Sequence, residues 1–170
     1  MIILGVDPGL QVTGYGVIEV TGSSASGKEI ELLEAGVIRT QAKAGIAARL
    51  ECLYRDLTAV VEEFKPSVMT IEKLYAHYKH PATAILMAHS RGTVCLLSGV
   101  KKIPLFSMAS THVKKAVTGR GHADKEQVAR MVLHYLHLKP LSAPLDATDA
   151  LAVALAYAFN SKVASGEFAT

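Results

Sequence analysis

The run Ile2-Ile3-Leu4-Gly5-Val6-Asp7-Pro8-Gly9 places an acid and a Pro-Gly turn directly behind five apolar residues. An apolar run of that length suits a strand buried on both faces, and Pro-Gly stops it. Residues 13–20 read as a second strand, in which Gly14 and Gly16 signal close approach of another backbone. The Gly- and Ser-rich residues 21–28 form a hairpin loop, and residues 30–40 supply a third strand. Three strands joined by short links make an antiparallel meander. From Ile46 the apolar positions 46, 50, 53, 57, 60, 61 and 64 mark one face of a helix that Pro66 ends. That helix leads into Ser67-Val68-Met69-Thr70-Ile71-Glu72, a strand that a right-handed crossover sets parallel to the first. Asp7 and Glu72 then end neighbouring parallel strands at the same edge of the sheet.

The rest of the chain continues this α/β pattern. After a loop at residues 73–81, a helix over 82–98 is apolar on nearly every side, which predicts burial in the core or against another subunit. Residues 101–106 read as a fifth strand and residues 109–117 and 124–138 as helices; Pro140 and Pro144 stiffen a linker at 137–145 before a last helix at 146–161. The 170 residues fit one domain, expected over 1–162 with a short C-terminal tail at 163–170. No segment approaches the roughly 20 apolar residues of a membrane helix, and the N-terminus lacks the basic start and long apolar stretch expected of a signal peptide. A soluble, cytoplasmic protein is the expectation. Cys52 and Cys95 lie in apolar helical patterns without a CxxC or a His at ligand spacing, and are expected to be buried free thiols.

A formal charge of +3 does not by itself indicate nucleic-acid binding. Its distribution is uneven, however, with basic residues gathered between positions 112 and 130 around Lys114, Lys115, Arg120 and Lys125. Such a cluster is either a solvated surface or a contact for phosphates. Gly119-Arg120-Gly121 is not a P-loop, since no GK[ST] follows, and no nucleotide cofactor is expected.

Four acids carry the functional signal. Besides Asp7 and Glu72, Asp146 and Asp149 open the last helix. Each has an ordinary reading: Asp7 as a turn residue, Glu72 as a partner for Lys73 or Lys79, Asp146 and Asp149 as an N-cap and N3 pair. Those local readings give no reason for three distant segments to converge. Gathered carboxylates are costly to bury unless a cation neutralises them, and several oxygen ligands are what Mg²⁺ requires.

Taken in order, Gly5-Val6-Asp7-Pro8-Gly9-Leu10, Thr13-Gly14-Tyr15-Gly16, Ile71-Glu72, Arg91-Gly92, Val113-Lys114, Gly119-x-Gly121 and Asp146-Ala147-Thr148-Asp149-Ala150-Leu151-Ala152 resemble the RuvC family of Holliday junction resolvases over nearly the whole chain. The resemblance implies a ribonuclease H-like fold, a mixed five-stranded sheet flanked by helices. It implies that Asp7, Glu72, Asp146 and Asp149 bind two Mg²⁺ ions per subunit, with Mn²⁺ able to substitute, and that Asp7 lies between them. Two ions about 3.5 to 4 Å apart activate water at one side and stabilise the leaving oxygen at the other. The implied activity is a structure-specific endonuclease that resolves four-way DNA junctions by symmetric paired nicks. It would leave 5′-phosphate and 3′-hydroxyl ends, in homologous recombination and DNA repair.

The same resemblance gives Lys114 and Lys125 to DNA, with Lys114 also near the scissile phosphate, and Arg120 of the basic cluster is expected to bind DNA beside them. Tyr75 matches an aromatic position that stacks on a base at the crossover, a contact worth about 1 to 3 kcal/mol. Tyr78 either stacks or packs. A homodimer is implied, with the helix at 82–98 as its contact and Leu86, Met87 and Val94 as contact residues, and RuvA and RuvB as the branch-migration partners. Departures from the family pattern are an extended loop at 23–28, Lys73, and Ala88-His89-Ser90 before Arg91. The ring-rich loop at 76–81 is another; His77 and His80 within it lack a third soft ligand, so zinc is not expected. Two other classes compete: an actin-like ATPase lobe, disfavoured because the chain supplies one lobe, and a junction-binding module without catalysis.

Overall fold

A computed structural model describes residues 1–22, 29–74, 81–138 and 145–160, the side chains at 81 and 82 excepted. Strands β1 (Ile2–Asp7), β2 (Val12–Thr21) and β3 (Glu29–Arg39) form the antiparallel meander, and α1 (Ile46–Phe64) crosses to β4 (Val68–Glu72). Helix α2 (Pro81–Lys101), strand β5 (Leu105–Met108) and helices α3 (Ser110–Thr118), α4 (Lys125–Tyr135) and α5 (Leu145–Asn160) follow. The sheet order is β3-β2-β1-β4-β5. β1 is antiparallel to β2 and parallel to β4, and β5 is parallel to β4. This is the mixed five-stranded, ribonuclease H-like arrangement expected.

Alternation along β1 and β4 divides the core between the two faces of the sheet. Leu4, Val6, Met69 and Ile71 pack with Leu53, Leu57 and Val61 of α1 and Val94 and Leu97 of α2. Ile3 and Val68 face the other way, among Leu151 and Leu155 of α5, Val113 and Val117 of α3, and Val128 and Val132 of α4. Asp7 and Glu72, at even spacing from Ile3 and Val68, therefore turn toward the face that α5 covers.

Glycines decide how near α5 comes. A Cβ at Gly5 would overlap the Ala150 carbonyl, one at Gly14 the Asp146 carbonyl, and one at Gly16 the Leu151 side chain. The expected close approach of a backbone is found at Gly14, under the first turn of α5, whereas at Gly16 the near neighbour is the Leu151 side chain. Gly14 pairs directly with Asp7 across β1 and β2, so the same seat delivers the first turn of α5 to the end of β1.

Several boundaries differ from the sequence reading. α2 runs on to Lys101, and Lys102 turns left-handed at φ 55°. The Ile103 N–H caps the helix by donating to the Ser98 carbonyl. The fifth strand accordingly starts at Leu105, after Pro104, rather than at 101. α4 begins after Asp124, whose side chain accepts from the Gln127 N–H in a reciprocal capping box, and it ends at Tyr135. α5 already includes Leu145, so Asp146 sits inside the first turn and is not the N-cap.

The thiols are not buried as expected: Cys52 is half-buried and Cys95 exposed. In α1 the buried stripe is Leu53, Leu57 and Val61, at i, i+4 and i+8, and Cys52 falls beside it. Val94 is another correction. It is 0% exposed inside the subunit, whereas Leu86 and Met87 are 41% and 37% exposed. Val94 packs on the sheet through the α1–α2 side of the core and offers nothing to a second chain. Among the described residues no helix is long and apolar enough to cross a membrane.

Candidate active site

Asp7, Glu72 and Asp149 line one open cleft of about 830 Å³ at the carboxyl ends of β1 and β4. Lys114 of α3 and Lys125 of α4 line it as well, as do Lys73 and Met87. Asp146 is not among the lining residues, yet its charge acts on Asp7. The site is thus built from two strand ends, one helix seated on glycines, and two helices that contribute cations from the rim.

Electrostatics show that the other three acids act on Asp7. Burial, then the charges of Asp149, Glu72 and Asp146, push the Asp7 carboxyl up from 3.8 to about 6, with Lys125 pulling the other way. Lys125 Nζ donates to Asp149 Oδ2 at 2.7 Å. That hydrogen bond, with the fields of Asp149, Asp7 and Asp146, raises the Lys125 ammonium above its ordinary value against the effect of its partial burial. Lys125 thus acts on both Asp7 and Asp149. Replacing it with Met is expected to drive the Asp7 carboxyl above 6 in metal-free protein. An NMR pH titration of the Asp7 carboxyl carbon reads this directly; a fall toward 3.8 would contradict the arrangement.

Among the described residues no three His, Cys, Asp or Glu side chains stand close enough together to hold an ion as they are. The donor set nevertheless fits a hard divalent cation. It is all carboxylate oxygen, comes from three separate elements, and surrounds an Asp7 whose carboxyl is raised to about 6 by burial first and by its like charges second. Asp149 is held by Lys125 instead.

The remaining predicted residues fall in different places. Arg120 is exposed in the turn after α3, where Gly119 is left-handed at φ 76°. It lines a separate depression of about 430 Å³ with Thr118, Gln127 and Arg130 rather than the carboxylate cleft. Tyr75, His77, Tyr78 and His80 lie outside the described residues, as do the loop at 23–28, the linker at 139–144 and the tail. Sequence reasoning passed over Ser107 and gave Arg91 no role. The Arg91 guanidinium donates from Nη1 to the Glu72 backbone carbonyl at 2.7 Å and from Nη2 to Ser107 Oγ at 2.6 Å. One signal for it was present: a single arginine in the middle of an otherwise apolar helix.

Known proteins agree with this geometry. The sequence model of the family described as Crossover junction endodeoxyribonuclease RuvC matches residues 3–157. A protein of that name from Pseudothermotoga lettingae is 43% identical over 154 residues, 91% of each chain. Among solved structures, Thermus thermophilus RuvC superposes with a TM-score of 0.86 at 31% identity, over 95% of this chain and 96% of that one. The same protein in complex with Holliday junction substrate gives 0.87 at 30% identity, over 95% of each. A family match across residues 3–157, on a chain whose strand ends and last helix bring acids into one cleft, leaves one conclusion: the chain belongs to the RuvC family of crossover junction endodeoxyribonucleases.

Proposed function

We propose that the carboxylate cleft hydrolyses one phosphodiester of a four-way DNA junction with two Mg²⁺ ions per subunit, Mn²⁺ being able to substitute. The observation that carries this reading is the convergence of acids on Asp7, whose carboxyl stands at about 6 because burial and three like charges oppose its ionisation. Asp7, Glu72, Asp146 and Asp149 would hold the ions. When bound, such ions lower the pKa of water and offset charge on the leaving oxygen.

The chain's own residues do the rest. Glycine-seated α5 keeps Asp146 and Asp149 at the level of Asp7, which limits how far the ligands must travel. Lys114, on the cleft wall, is placed to attract the phosphate and to offset negative charge as the bond breaks. Lys125 has two acceptors in turn, Asp149 in the free protein and a DNA phosphate in the complex. Tyr75 follows Glu72 by three residues and is assigned to base stacking at the branch point; Arg120 with its neighbour Arg130 supports a duplex arm farther out. Cutting by this route yields 5′-phosphate and 3′-hydroxyl ends. The test is resealing by DNA ligase of the nicks made in a labelled four-way junction. Resealed duplexes support the reading, and nicks that ligase cannot close would sink it.

Paired nicks need two sites, and α2 supplies a surface for a second copy of this chain. Ile85, Leu96 and Val100 are 57%, 59% and 56% exposed. Their spacings of 11 and 4 bring them to one side of the helix, with Leu86 alongside. Leu86→Asp is expected to give folded monomers in sedimentation velocity, with single rather than paired nicks. Val94→Asp is expected instead to unfold the subunit, since a carboxylate there is buried without a partner; a folded monomeric Val94→Asp would contradict the burial described above. RuvA and RuvB are the branch-migration partners this reading expects.

A further inference from the structure

We propose that Arg91 is a positioning residue for the cutting reaction, holding Glu72 in register with Asp7 from the far side of the sheet. The inference rests on the reading of the carboxylate cleft as a metal-dependent nuclease site. Arg91 lies on α2 and is half-buried, with its guanidinium spanning the ends of two neighbouring strands. Its two bonds, 2.7 Å to the Glu72 carbonyl and 2.6 Å to Ser107 Oγ, are both short. Ser107 pairs with Ile71 across the parallel β4–β5 ladder, so one planar fork ties together the last turns of both strands.

Glu72 needs such a tie. It is the last residue of β4, and Pro8, which follows Asp7 on the neighbouring strand, has no N–H to offer a carbonyl. On the other side the ladder with β5 ends with the Lys73 N–H donating to the Met108 carbonyl at 2.8 Å. A charged donor on the Glu72 carbonyl therefore fixes the peptide from which the Glu72 side chain leaves toward the cleft. No ion pair holds Arg91 among the described residues, so its two donor bonds are what the side chain is used for there. The guanidinium itself lines neither the cleft nor the depression near Arg120, which makes it a support and not a participant.

The test uses the full-length protein with Arg91→Met, which keeps the apolar stem and removes both bonds. Arg91→Lys keeps one donor at a time, and Ser107→Ala removes one acceptor while leaving the Glu72 contact. Four quantities are measured: melting temperature, Mn²⁺ affinity by electron paramagnetic resonance without DNA, and KM and kcat on a four-way junction. Loss of support behind a metal ligand costs about 10- to 100-fold in metal affinity or activity. Arg91→Met is expected to weaken Mn²⁺ binding and to lower kcat within that range, with KM for the junction unchanged and kcat partly restored by raising Mn²⁺. Arg91→Lys and Ser107→Ala are expected to fall between it and wild type. Ser107→Ala retains the whole core, so it decides the matter should Arg91→Met not fold. Wild-type Mn²⁺ affinity and kcat in the variants, with only a lower melting temperature, would overturn the proposal and make Arg91 a packing residue. Wild-type protein that neither binds Mn²⁺ nor cuts would instead overturn the reading of the cleft itself.

Discussion

Asp7→Asn is expected to lose junction cutting altogether and, in the metal-free state, to melt at a higher temperature than wild type. The two effects share one cause. In the unfolded chain the Asp7 carboxyl titrates near its ordinary 3.8, and in the folded protein burial and the charges of Asp149, Glu72 and Asp146 move it to about 6. Below 3.8 it is protonated in both states and contributes nothing. Between 3.8 and about 6 the unfolded chain releases a proton that the fold retains, so rising pH favours unfolding. Above about 6 the penalty is complete, and at pH 7.5 it amounts to about 3 kcal/mol. Asn keeps the shape and carries no charge, so its advantage should be absent near pH 4, open between pH 4 and 6, and level off beyond. For a chain of this size each kcal/mol corresponds to about 2 to 4 °C. Thermal melts in EDTA across that pH range measure it. Adding Mg²⁺ should stabilise wild type and leave the variant little changed, because the ion neutralises the repulsion that Asn has already removed. A variant no more stable than wild type at pH 7.5 would mean that the acids do not crowd Asp7.

The second large effect is expected at a residue with no side chain. A Cβ on Gly14 would overlap the backbone carbonyl of Asp146, and backbone cannot move aside as a flexible side chain does. Overpacking typically costs 1 to 3 kcal/mol, and the rigid obstacle puts Gly14→Ala at about 3 kcal/mol. The first turn of α5 must then lift from the sheet and carry Asp146 and Asp149 away from Asp7. Cutting should fall far more than stability does, and the Asp7 carboxyl should drop back toward 3.8. Gly99, near the end of α2, has open space around its Cβ position. Gly99→Ala should leave stability unchanged or raise it by about 0.5 to 1 kcal/mol. Melting curves and nicking rates for the pair separate the two cases; equal behaviour would mean that α5 is not seated on the glycines.

Where pattern alone determines structure, the sequence was a sufficient guide. Strand β1, the meander, the stripe on α1 and the parallel return to β4 all follow from periodicity, punctuation and the handedness of the crossover, and they bring Asp7 and Glu72 to one edge. The glycine at 14 correctly announced a close backbone, and the one at 16 makes room for the Leu151 side chain instead. Legibility stopped where a tertiary neighbour makes the choice. Val94 and Leu86 are both apolar residues of one helix, and only the packing of α2 beside α1 and the sheet buries the first and exposes the second. The Lys125–Asp149 pair joins residues 24 positions apart, and the clamp of Arg91 on Glu72 joins residues 19 apart. No local pattern encodes either. The start of the fifth strand was misjudged because residues 101–103 read equally well as a strand start and as the last turn and cap of a helix.

The most direct test of the account is cleavage of a labelled four-way junction beside a linear duplex of the same sequence, in Mg²⁺ and in EDTA. Wild type and Asp7→Asn are run together. Paired nicks in the junction alone, present only with Mg²⁺ and only with Asp7 intact, are the predicted result. Junction binding without nicks in Mg²⁺ or Mn²⁺ would contradict it, and would leave an acidic cleft that binds DNA beside it without cutting.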